Sequence, residues 1–371
     1  MYRLKNKLLK KIVIAVTNDL TTDQRVHKVC TTLSENGCDI LLVGRKRKSS
    51  IPLERSYKTT RMRLLFENGP LFYAEYNLRL FLKLLFTKFD ICVANDLDTL
   101  LASYMVHKIR RKEVVYDSHE LFTEVPELVH RPKIQKIWLT LEQYLLPKIH
   151  HKMTVCDSIA AYYKRKYQSS FEVIRNIPVK RTLSEGSFPF DTGDKTIILY
   201  QGAVNIGRGL ELMIETMPLL SNALFVIIGS GDILKELQEK VAKQNKGHLV
   251  KFMGSLEPEK LRKLTPLADI GVSLEEDLGL NYRYALPNKI FDYIQSKIPV
   301  ICSDLPEMKK IICENNIGEV LTQRTPEHLA KTIQEMVANK TAYSTQLVAT
   351  AKKFTWEKES KKLLKIYKGI L

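Results

Sequence analysis

Three side chains suited to binding a phosphorylated ligand lie close together at the start of a helix-like segment. In ALPNKIFDYIQSK, residues 285–297, Asn288 is a hydrogen-bond donor, Lys289 is a cation and Asp292 is a carboxylate. They fall near a helix N-terminus, where free backbone N–H groups and the helix dipole favour an anion. The residues alone leave two interpretations open: ordinary helix capping, or a site for a phosphate and a sugar hydroxyl.

Glycine-rich turns follow two other strand-like runs. TIILYQG is followed by AVNIGRGLE, in which Gly207 lets the backbone approach a ligand and Arg208 stands at the start of the next helix. This combination suits a phosphate group, although the same turn is also an ordinary tight connection. The turn SGD follows LFVIIG, and a loop that can face a base follows VKFMG. The residues expected near that base are Gly229, Gly231, Phe252 and Met253.

Ionisable residues also follow strand-like runs in the first half of the chain. His119 and Glu120 come directly after EVVYDS. A histidine in such a place is, on general grounds, more often structural than catalytic. Asp96 and Asp98, in CVANDLDTLL, imitate a metal-binding DxD motif that belongs to a different architecture. A helix cap and an acceptor-side contact fit these two residues better, and we expect no metal.

All of these residues depend on strands for their positions. The apolar runs of the first half are KIVIAV, DILLVG, DICVAN, EVVYD and KMTVC, and those of the second half are TIILYQG, LFVIIG, VKFMG, DIGVSL and PVICSD. Short apolar runs that alternate with helical segments indicate parallel sheets covered on both faces, and two series indicate two doubly wound domains. Ligands bind beyond the carboxyl ends of such strands.

The domain junction is expected in an aperiodic segment that contains Pro, Gly and Ser, near residues 178–194. We expect an N-terminal domain over residues 1–185 and a C-terminal domain over residues 190–354. The last segment, FTWEKESKKLLKIYKGIL, has the pattern of an amphipathic helix. We expect this helix, residues 355–371, to pack back on the N-terminal domain.

Charge is unevenly distributed over the 371 residues. Residues 1–190 carry 33 Lys and Arg against 19 Asp and Glu, a net charge of +14, whereas the remainder carries 25 against 22, or +3. An anionic partner should therefore face only the first domain. The six cysteines include no CxxC pair, so we expect reduced core residues of a cytoplasmic protein. No apolar run approaches the length of a membrane span.

The second half resembles a known family over nearly its whole length. The series YQG, GRGLE, IIGSGD, VKFMGSLEPEKL, ADIGVSL, LPNKIFDYI and IPVICSDLPEMKKII is similar to the C-terminal domain of retaining GT-B glycosyltransferases, the large family-4 or group 1 class. In the first half, the segment DQRVHK resembles the family's N-terminal loop and first helix. The resemblance implies an α/β protein with two facing Rossmann-like domains, each a doubly wound parallel sheet, and an interdomain cleft.

The resemblance also implies a site for the diphosphate of a sugar nucleotide. Arg208 and Lys289 correspond to the cations that hold the diphosphate in that family, and Gly207 and Asn288 lie beside them. Asp292 corresponds to the carboxylate that binds the ribose. The donor implied is a nucleotide-diphosphate sugar of UDP or GDP type.

Two further positions follow from the resemblance. The family places a His or an acid against the donor sugar in the loop of His119, which makes His119 and, more weakly, Glu120 the catalytic candidates. The family's first Glu, eight residues before the ribose carboxylate, corresponds to Tyr284 here. Upstream carboxylates that can substitute for it are Glu275, Glu276 and Asp277.

The sequence therefore predicts a transferase that moves a sugar to a glycan or lipid-linked acceptor in cell-surface polysaccharide synthesis, with retention and without metal or cofactor. The segments YNLRLFLKLLFTKF and RPKIQKIWLTLEQYLLPKIHHK are basic and rich in Leu, Phe and Trp. They either pack on the sheet or dip into an anionic leaflet. The second interpretation would make the protein peripheral on the inner face of the membrane.

Two other functions are alternatives. A nucleotide-sugar 2-epimerase of the same fold needs a denser set of acids and histidines than the first half offers. A basic nucleic-acid-binding protein would explain the charge, but no recognition motif appears, and we expect no nucleic-acid partner. A dehydrogenase would need GxGxxG opening a strand–helix–strand unit, which the sequence lacks.

Overall fold

The structure is a computed structural model that describes residues 10–21, 23–180, 182–184 and 186–370. The protein divides into two compact units. Unit 1 comprises Met1–Arg175 and Glu359–Leu371, and unit 2 comprises Asn176–Lys358. The division falls earlier in the chain than residues 185 and 190. Ile177 belongs to a hydrophobic core of unit 2, and Pro178 accepts a hydrogen bond from the backbone N–H of Trp356.

Unit 1 is built on one sheet of parallel strands. The strands are β1 (Lys10–Asp19), β2 (Cys38–Lys46), β3 (Lys58–Arg63), β4 (Ile91–Asn95), β5 (Glu113–Ser118), β6 (His151–Thr154) and β7 (Glu172–Val173). The helices between them are α1 (Gln24–Glu35), α2 (Gly69–Phe86), α3 (Leu97–Arg110), α4 (Pro126–Val129), α5 (Pro132–Leu145) and α6 (Asp157–Tyr167). The strand order is β3-β2-β1-β4-β5-β6-β7. The order reverses between β1 and β4, which is where a doubly wound sheet opens a crevice for ligands.

Unit 2 repeats this design. Its strands are β8 (Thr196–Gln201), β9 (Ala223–Ile228), β10 (Val250–Gly254), β11 (Ile270–Ser273), β12 (Val300–Ser303) and β13 (Gly318–Leu321). The helices that follow are α7 (Leu210–Thr216), α8 (Leu234–Lys243), α9 (Pro258–Leu264), α10 (Leu280–Arg283), α11 (Asn288–Ser296), α12 (Pro306–Asn315), α13 (Pro326–Ala338), α14 (Ser344–Lys353) and α15 (Trp356–Ile370). The strand order is β10-β9-β8-β11-β12-β13, all parallel, with the reversal between β8 and β11. The doubly wound α/β class predicted from the sequence is confirmed.

Strand β8 shows why the sheet of unit 2 must be covered on both faces. Ile198 and Tyr200 belong to one core cluster, with apolar residues of α7, α8 and α13. Ile197 and Leu199 belong to the other, with residues of α9, α11, α12 and α14. Successive side chains of a strand point to opposite faces, so an unbroken apolar run requires two helical layers.

Helix α15 leaves unit 2 after its first turn and packs in unit 1. Leu363 and Tyr367 are buried, and the Glu359 carboxylate accepts the backbone N–H of Arg175 at 3.1 Å. These contacts come from one face of the helix, since residues spaced by four lie above one another. Burial of Leu363 and Tyr367 anchors the C-terminal segment to the unit in which the chain begins.

The cysteines are free thiols. Cys38 is half-buried and Cys313 is exposed, and the buried ones are Cys30, Cys92, Cys156 and Cys302. The expected core location is therefore confirmed for these four cysteines.

Gly229 closes the carboxyl edge of the unit 2 sheet. Its φ of +152° is a conformation that other residues rarely adopt, and a Cβ there would overlap the carbonyl oxygen of Gly202. Its N–H donates to the carbonyl of Gly254 at 2.8 Å. The loops after β8, β9 and β10 are thereby drawn together by backbone approach.

We expect Gly229→Ala to destabilise the protein, because the added methyl group meets backbone rather than a side chain that can move. The matched control is Gly247→Ala, where no atom lies within 4 Å of the added Cβ. Urea unfolding should give Gly229→Ala a free energy of unfolding lower by about 2 kcal/mol or more, and Gly247→Ala a change below about 1 kcal/mol. Equal values for the two variants would contradict the backbone contact.

Candidate functional site

Two side chains of unit 2 that the sequence predicts to bind phosphate both lie beside one buried carboxylate. Lys289 Nζ lies 2.7 Å from Glu275 Oε1, and Arg208 Nη1 lies 3.7 Å from the same oxygen. Arg208 comes from the loop after β8 and Glu275 from the loop after β11, which are the two strands at the reversal of strand order. We call Arg208, Glu275 and Lys289 the cation cluster. It lies where ligands bind in doubly wound sheets.

Glu275 remains charged although its side chain is fully buried. Burial raises the pKa of this carboxyl, but the charge and hydrogen bond of Lys289, a hydrogen bond from Ser273 and the charge of Arg208 outweigh it, and the pKa is lowered. Ser273 Oγ donates to Oε2 at 2.7 Å. Two cations therefore share one carboxylate. The resulting excess of positive charge is available to an anion.

Aromatic rings flank both cations. Lys289 Nζ lies 4.1 Å from the ring centroid of Tyr200, and Arg208 Cζ lies 5.2 Å from that of Tyr282. Within the described part of the chain, Arg208 Nε is buried without a hydrogen-bond partner. The guanidinium thus has donor capacity to spare at the position where the sequence predicted a phosphate contact.

The turn that carries Arg208 is fixed against the loop after β11. Gly207 has φ +77°, and its carbonyl accepts the backbone N–H of Glu276 at 2.8 Å. Gly209 has φ +72°, and a Cβ there would overlap the carbonyl of Leu274. Both glycines permit a close backbone approach that brings Arg208 to Glu275.

Arg324, which sequence reasoning missed, holds the other side of this loop. Its guanidinium donates to the carbonyl of Leu274 at 3.0 Å, to the carbonyl of Glu275 at 3.3 Å and to Ser303 Oγ at 2.9 Å. An arginine that follows β13 carries no local signal of this role, because its partners lie far away in the sequence. Arg324 positions the backbone of Glu275.

Asp292 and Asn288 differ in their surroundings. Asp292 is half-buried, and its carboxylate accepts a hydrogen bond from Gln201 Nε2 at 3.2 Å. The other end of Gln201 accepts from Thr265 Oγ1 at 2.8 Å, which fixes the amide. Asn288 is exposed at the first residue of α11, and Pro287 is the N-cap residue. The cluster, Asn288 and Asp292 are therefore presented by one helix and its neighbouring strand ends.

The four residues predicted near a base do not form one group. Phe252 packs with the core cluster of α7, α8 and α13, whereas Met253 packs with the cluster on the opposite face. A Cβ at Gly231 would overlap Asn205 and the carbonyl of Val204, so this glycine, like Gly229, is required by the packing of loops. The structure gives all four residues packing roles, and base contact by any of them stays a prediction.

In unit 1, His119 lies between two aspartates at the carboxyl edge of the sheet. His119 Nδ1 is 3.5 Å from Asp96 Oδ2, and Nε2 is 3.4 Å from Asp117 Oδ2. The backbone N–H of His119 donates to Asp96 Oδ1 at 2.7 Å. Both ring nitrogens therefore face carboxylates. The ring is held in one orientation from two sides.

Arg25 holds the Asp117 carboxylate in place. Its guanidinium donates to both oxygens of Asp117, at 2.7 and 3.2 Å, and to the carbonyl of Ile174 at 2.6 Å. Arg25 and Asp117 are both buried. The sequence related the segment of Arg25 only to a first helix. Asp23 caps that helix, since its side chain accepts the N–H of Val26.

In this group, neighbouring charges outweigh the effect of burial on the pKa values of His119 and Asp117. Burial lowers the pKa of His119, but the nearby Asp96 and Asp117 carboxylates outweigh it and raise the pKa to about 9. Burial would raise the pKa of Asp117, but the charges of Arg25 and His119 hold it well below its usual range. His119 is thus an imidazolium at neutral pH, with donors on both nitrogens.

Asp96 is not the side-chain helix cap expected from the sequence. It occupies the N-cap position of α3 but makes no capping hydrogen bond, because its carboxylate is turned toward His119. Its φ of +58° is unusual for a residue other than glycine. Nowhere in the described ranges do three or more His, Cys, Asp or Glu side chains form a group that could hold a metal ion.

A cavity of about 370 Å³ opens at this edge of unit 1. Asp98 lines it, and Asp98 Oδ2 accepts a hydrogen bond from Thr17 Oγ1 at 2.6 Å. Burial, together with the charge of Asp96, raises the pKa of Asp98 to about 8. The other side chains around the cavity include Asn18, Arg45, Phe72, Tyr73, Asn95, Asp96, His119, Glu120, Phe122 and Glu127. His119 and Glu120, the predicted catalytic pair, are therefore both part of its wall.

Comparison with known proteins finds a family similarity in the second half of the chain. Residues 187–354 match the model of the family described as Glycosyl transferases group 1. An uncharacterized glycosyltransferase of Methanocaldococcus jannaschii is 25% identical over 185 residues, which are 47% of this chain and 45% of that protein. The match thus spans less than half of the relative's length. The resemblance to group 1 glycosyltransferases predicted from the sequence is confirmed over residues 187–354.

Solved structures show the same fold over the whole chain. Sucrose-phosphate synthase from Thermosynechococcus elongatus has a TM-score of 0.81 at 16% identity, with 97% of this chain and 99% of that chain covered. HepE from Anabaena, in complex with UDP-glucose, has a TM-score of 0.73 at 14% identity and the same coverage. The predicted GT-B fold is confirmed.

The charge of His119 predicts a dependence of stability on pH. Its folded pKa is raised above the ordinary value, so its contribution is complete below about pH 6.5 and is lost as the pH rises through about 9. The free energy of unfolding of the wild type should exceed that of His119→Gln by roughly 1 to 3 kcal/mol near pH 6, with little difference near pH 10. Urea unfolding at both pH values measures this. Parallel pH profiles for the two proteins would contradict an ion-paired imidazolium.

Proposed function

We propose that this protein transfers a sugar from a nucleoside-diphosphate sugar to a hydroxyl-bearing acceptor, because residues 187–354 match the group 1 glycosyl transferases and the chain has the GT-B fold. The observation that carries the proposal is the cation cluster, in which Arg208 and Lys289 share Glu275 at the reversal of strand order. Breaking the bond between sugar and diphosphate leaves negative charge on the diphosphate. Fixed cations stabilise that charge as it develops.

The donor is proposed to be of UDP or GDP type, with UDP tested first because HepE was solved with UDP-glucose. Arg208 and Lys289 would bind the diphosphate, beside Gly207 and Asn288, and Asp292 would accept from the ribose hydroxyls. In this scheme the two side chains neutralise the leaving group, so turnover needs no added divalent cation. We propose retention of the anomeric configuration, which product NMR can read directly.

Glu275 is proposed to replace the carboxylate that is missing at Tyr284, as the acidic group beside the two cations. It contacts Lys289 from the loop after β11, and it is one of the three upstream carboxylates that the resemblance left as substitutes for Tyr284. As a buried anion it holds the Lys289 ammonium in one orientation before a diphosphate binds. The proposed binding site is therefore preorganised.

Unit 1 is proposed to serve the acceptor and the transferred sugar, with His119 and Glu120 in contact with sugar hydroxyls. The imidazolium of His119 is a hydrogen-bond donor at neutral pH, and its two aspartates fix its position. Charged donors of this kind strengthen their hydrogen bonds when the partner gains charge.

The surface of α2 supports a lipid-linked acceptor in cell-surface polysaccharide synthesis, with the protein peripheral on the inner face of the membrane. Leu78, Leu82 and Phe86 are exposed by 60%, 45% and 81% and are spaced by four residues, so they form one apolar stripe. Arg79 and Lys83 lie between them on the same helix. Apolar side chains flanked by cations suit an anionic leaflet. Among the helices described, none is both long and apolar enough to cross a bilayer.

The donor site is tested with Arg208→Ala and Lys289→Ala. Charged hydrogen bonds of this type contribute about 1.5–3 kcal/mol, so calorimetry should show UDP affinity reduced about tenfold or more in each variant. The control is Lys235→Ala, a cation of the same unit whose side chain is 89% exposed. Turnover of UDP- and GDP-sugars, with acceptor glycosides and with EDTA present, tests the activity itself. Unchanged affinity in both variants, or turnover that EDTA abolishes, would contradict the proposed site.

The membrane surface is tested with the triple variant Leu78→Ser, Leu82→Ser and Phe86→Ser. Flotation with vesicles of phosphatidylglycerol should show strong binding of the wild type and at least tenfold weaker binding of the variant, because each buried apolar side chain contributes about 1.5–3 kcal/mol. Leu219→Ser, which changes an exposed leucine of unit 2, is the control. Equal binding of variant and wild type, or equal binding to phosphatidylcholine vesicles, would contradict this interpretation.

A further inference from the structure

A carboxyl group lies inside unit 1 at a position that the proposed function does not use. Glu142, on α5, is completely buried, and a carboxyl group is costly to bury unless its oxygens have hydrogen-bond partners. Oε2 accepts hydrogen bonds from the Tyr167 hydroxyl at 2.5 Å and from Thr123 Oγ1 at 3.4 Å, and Oε1 lies 3.5 Å from the Tyr163 hydroxyl. These partners belong to two different segments, helix α6 and the loop after β5. Glu142 therefore joins three parts of the unit.

We propose that Glu142 is a positioning residue, which holds the loop of residues 118–124 in the conformation that presents His119 and Glu120 at the edge of the sheet. The contribution of this loop to sugar transfer rests on the proposed function. The connection between Glu142 and the loop rests on the contacts within unit 1 alone.

One face of α5 holds the end of this loop directly. Gln135 Nε2 donates to the carbonyl of Thr123 at 2.8 Å, and the hydroxyl of the same threonine donates to Glu142. Between them on the helix, Trp138 packs edge-on against Phe122 with ring centroids 5.0 Å apart. Residues three and four apart lie on the same face of a helix, so these three side chains of α5 form one contact surface. Thr123 is itself buried, so the carboxyl group supplies an acceptor that solvent does not.

A second connection runs through Tyr163 to the start of the loop. The Tyr163 hydroxyl lies 3.0 Å from Ser118 Oγ, which donates to the carbonyl of Glu120 at 2.8 Å. The carbonyl of Ser118 accepts a hydrogen bond from Thr154 Oγ1 at 2.9 Å. Tyr163, Ser118 and Thr154 are all buried. The backbone is thus held on both sides of the candidate catalytic histidine, with the buried carboxyl group at the far end of the chain of contacts.

The chemistry of a carboxyl group fits this role. Its two oxygens together accept several hydrogen bonds, which a hydroxyl or an amide at the same place would match only in part. Buried polar groups that find their partners rigidify the structure around them. Glu142→Leu keeps a side chain of similar size but removes both oxygens, so the buried hydroxyls of Thr123 and Tyr167 would lose this acceptor. The loop should then open more readily than the rest of the protein.

Hydrogen exchange of the full-length protein, followed by mass spectrometry, tests the connection independently of any activity. In this loop the amides of His119, Phe122 and Glu124 donate hydrogen bonds. We expect Glu142→Leu to raise their exchange rates at least tenfold and to leave strands β8 and β9 of unit 2 unchanged, because the loop opens locally. Unchanged exchange in the loop, or an equal increase in both units, would overturn the proposal.

Matched variants separate this role from the general cost of losing a buried carboxyl group. Glu359→Leu changes another buried carboxyl group of unit 1, whose partners are Arg175 and Lys362, and should leave exchange in the loop unchanged. Glu142→Gln retains one acceptor oxygen and should raise the exchange rates less than Glu142→Leu. Thr123→Val removes the direct hydrogen bond alone and should raise them at least threefold, which keeps the proposal testable if Glu142→Leu does not fold. Unchanged loop exchange in Thr123→Val, or an equal acceleration by Glu359→Leu, would overturn the assignment.

Steady-state kinetics relate the loop to the proposed function. Glu142→Leu should lower turnover at least tenfold and leave UDP affinity, which the cation cluster of unit 2 is proposed to provide, within twofold of the wild type. A parallel loss of turnover and UDP affinity would indicate general unfolding and overturn the positioning role. Faster loop exchange in a protein that transfers no sugar from any nucleotide sugar would support the connection and contradict the transferase. Full turnover in Glu142→Leu, with the loop exchanging faster, would support the transferase and contradict the positioning role.

Discussion

The candidate site of unit 2 depends on one buried ion pair, between Glu275 and Lys289. Three separate segments, the turn after β8, the loop after β11 and the first turn of α11, meet because the Glu275 carboxylate attracts cations from two of them and belongs to the third. Removing either partner would leave an uncompensated charge in a buried place, which is far more costly than losing an exposed pair. The pair therefore positions the segments and at the same time keeps positive charge at the sheet edge.

Unit 1 also contains a buried carboxylate that two cationic side chains share. A buried carboxylate, Asp117, is shared by Arg25 on α1 and by His119 after β5. Its charge keeps the imidazolium protonated, as Glu275 keeps an ammonium in place in unit 2. In both units the shared carboxylate lies at the carboxyl end of the strands, where the backbone leaves room for ligands. The two units thus resemble each other in electrostatic design as well as in strand order.

The sequence predicted the central strands and the local motifs well, because each of them is formed by contiguous residues. The strands that it missed, β3, β7 and β13, lie at sheet edges, where one side has no neighbouring strand and long apolar runs are not required. Strand β3, for instance, reads KTTRMR. His119, Arg208 and Lys289 were found because each follows a strand or opens a helix.

Long-range partners could not be predicted in the same way. Arg25 and Asp117 are separated by 92 positions, and no periodicity links them. The family resemblance placed a missing carboxylate at Tyr284 and left Glu275, Glu276 and Asp277 as substitutes, and only the fold shows that Glu275 is the one that meets both cations. Likewise, no motif indicates that Asp98 Oδ1 is buried without a hydrogen-bond partner among the described residues, which only the fold shows. Such features depend on how the strand ends meet, which a single sequence does not state.

The most direct test of the central claim is a crystal structure of the protein with UDP. We expect the diphosphate oxygens within hydrogen-bond distance of Lys289 Nζ and the Arg208 guanidinium, the ribose hydroxyls at Asp292, and Glu275 still buried beside Lys289. A nucleotide bound at another place, with the Lys289–Glu275 pair and Arg208 free of phosphate, would contradict the account.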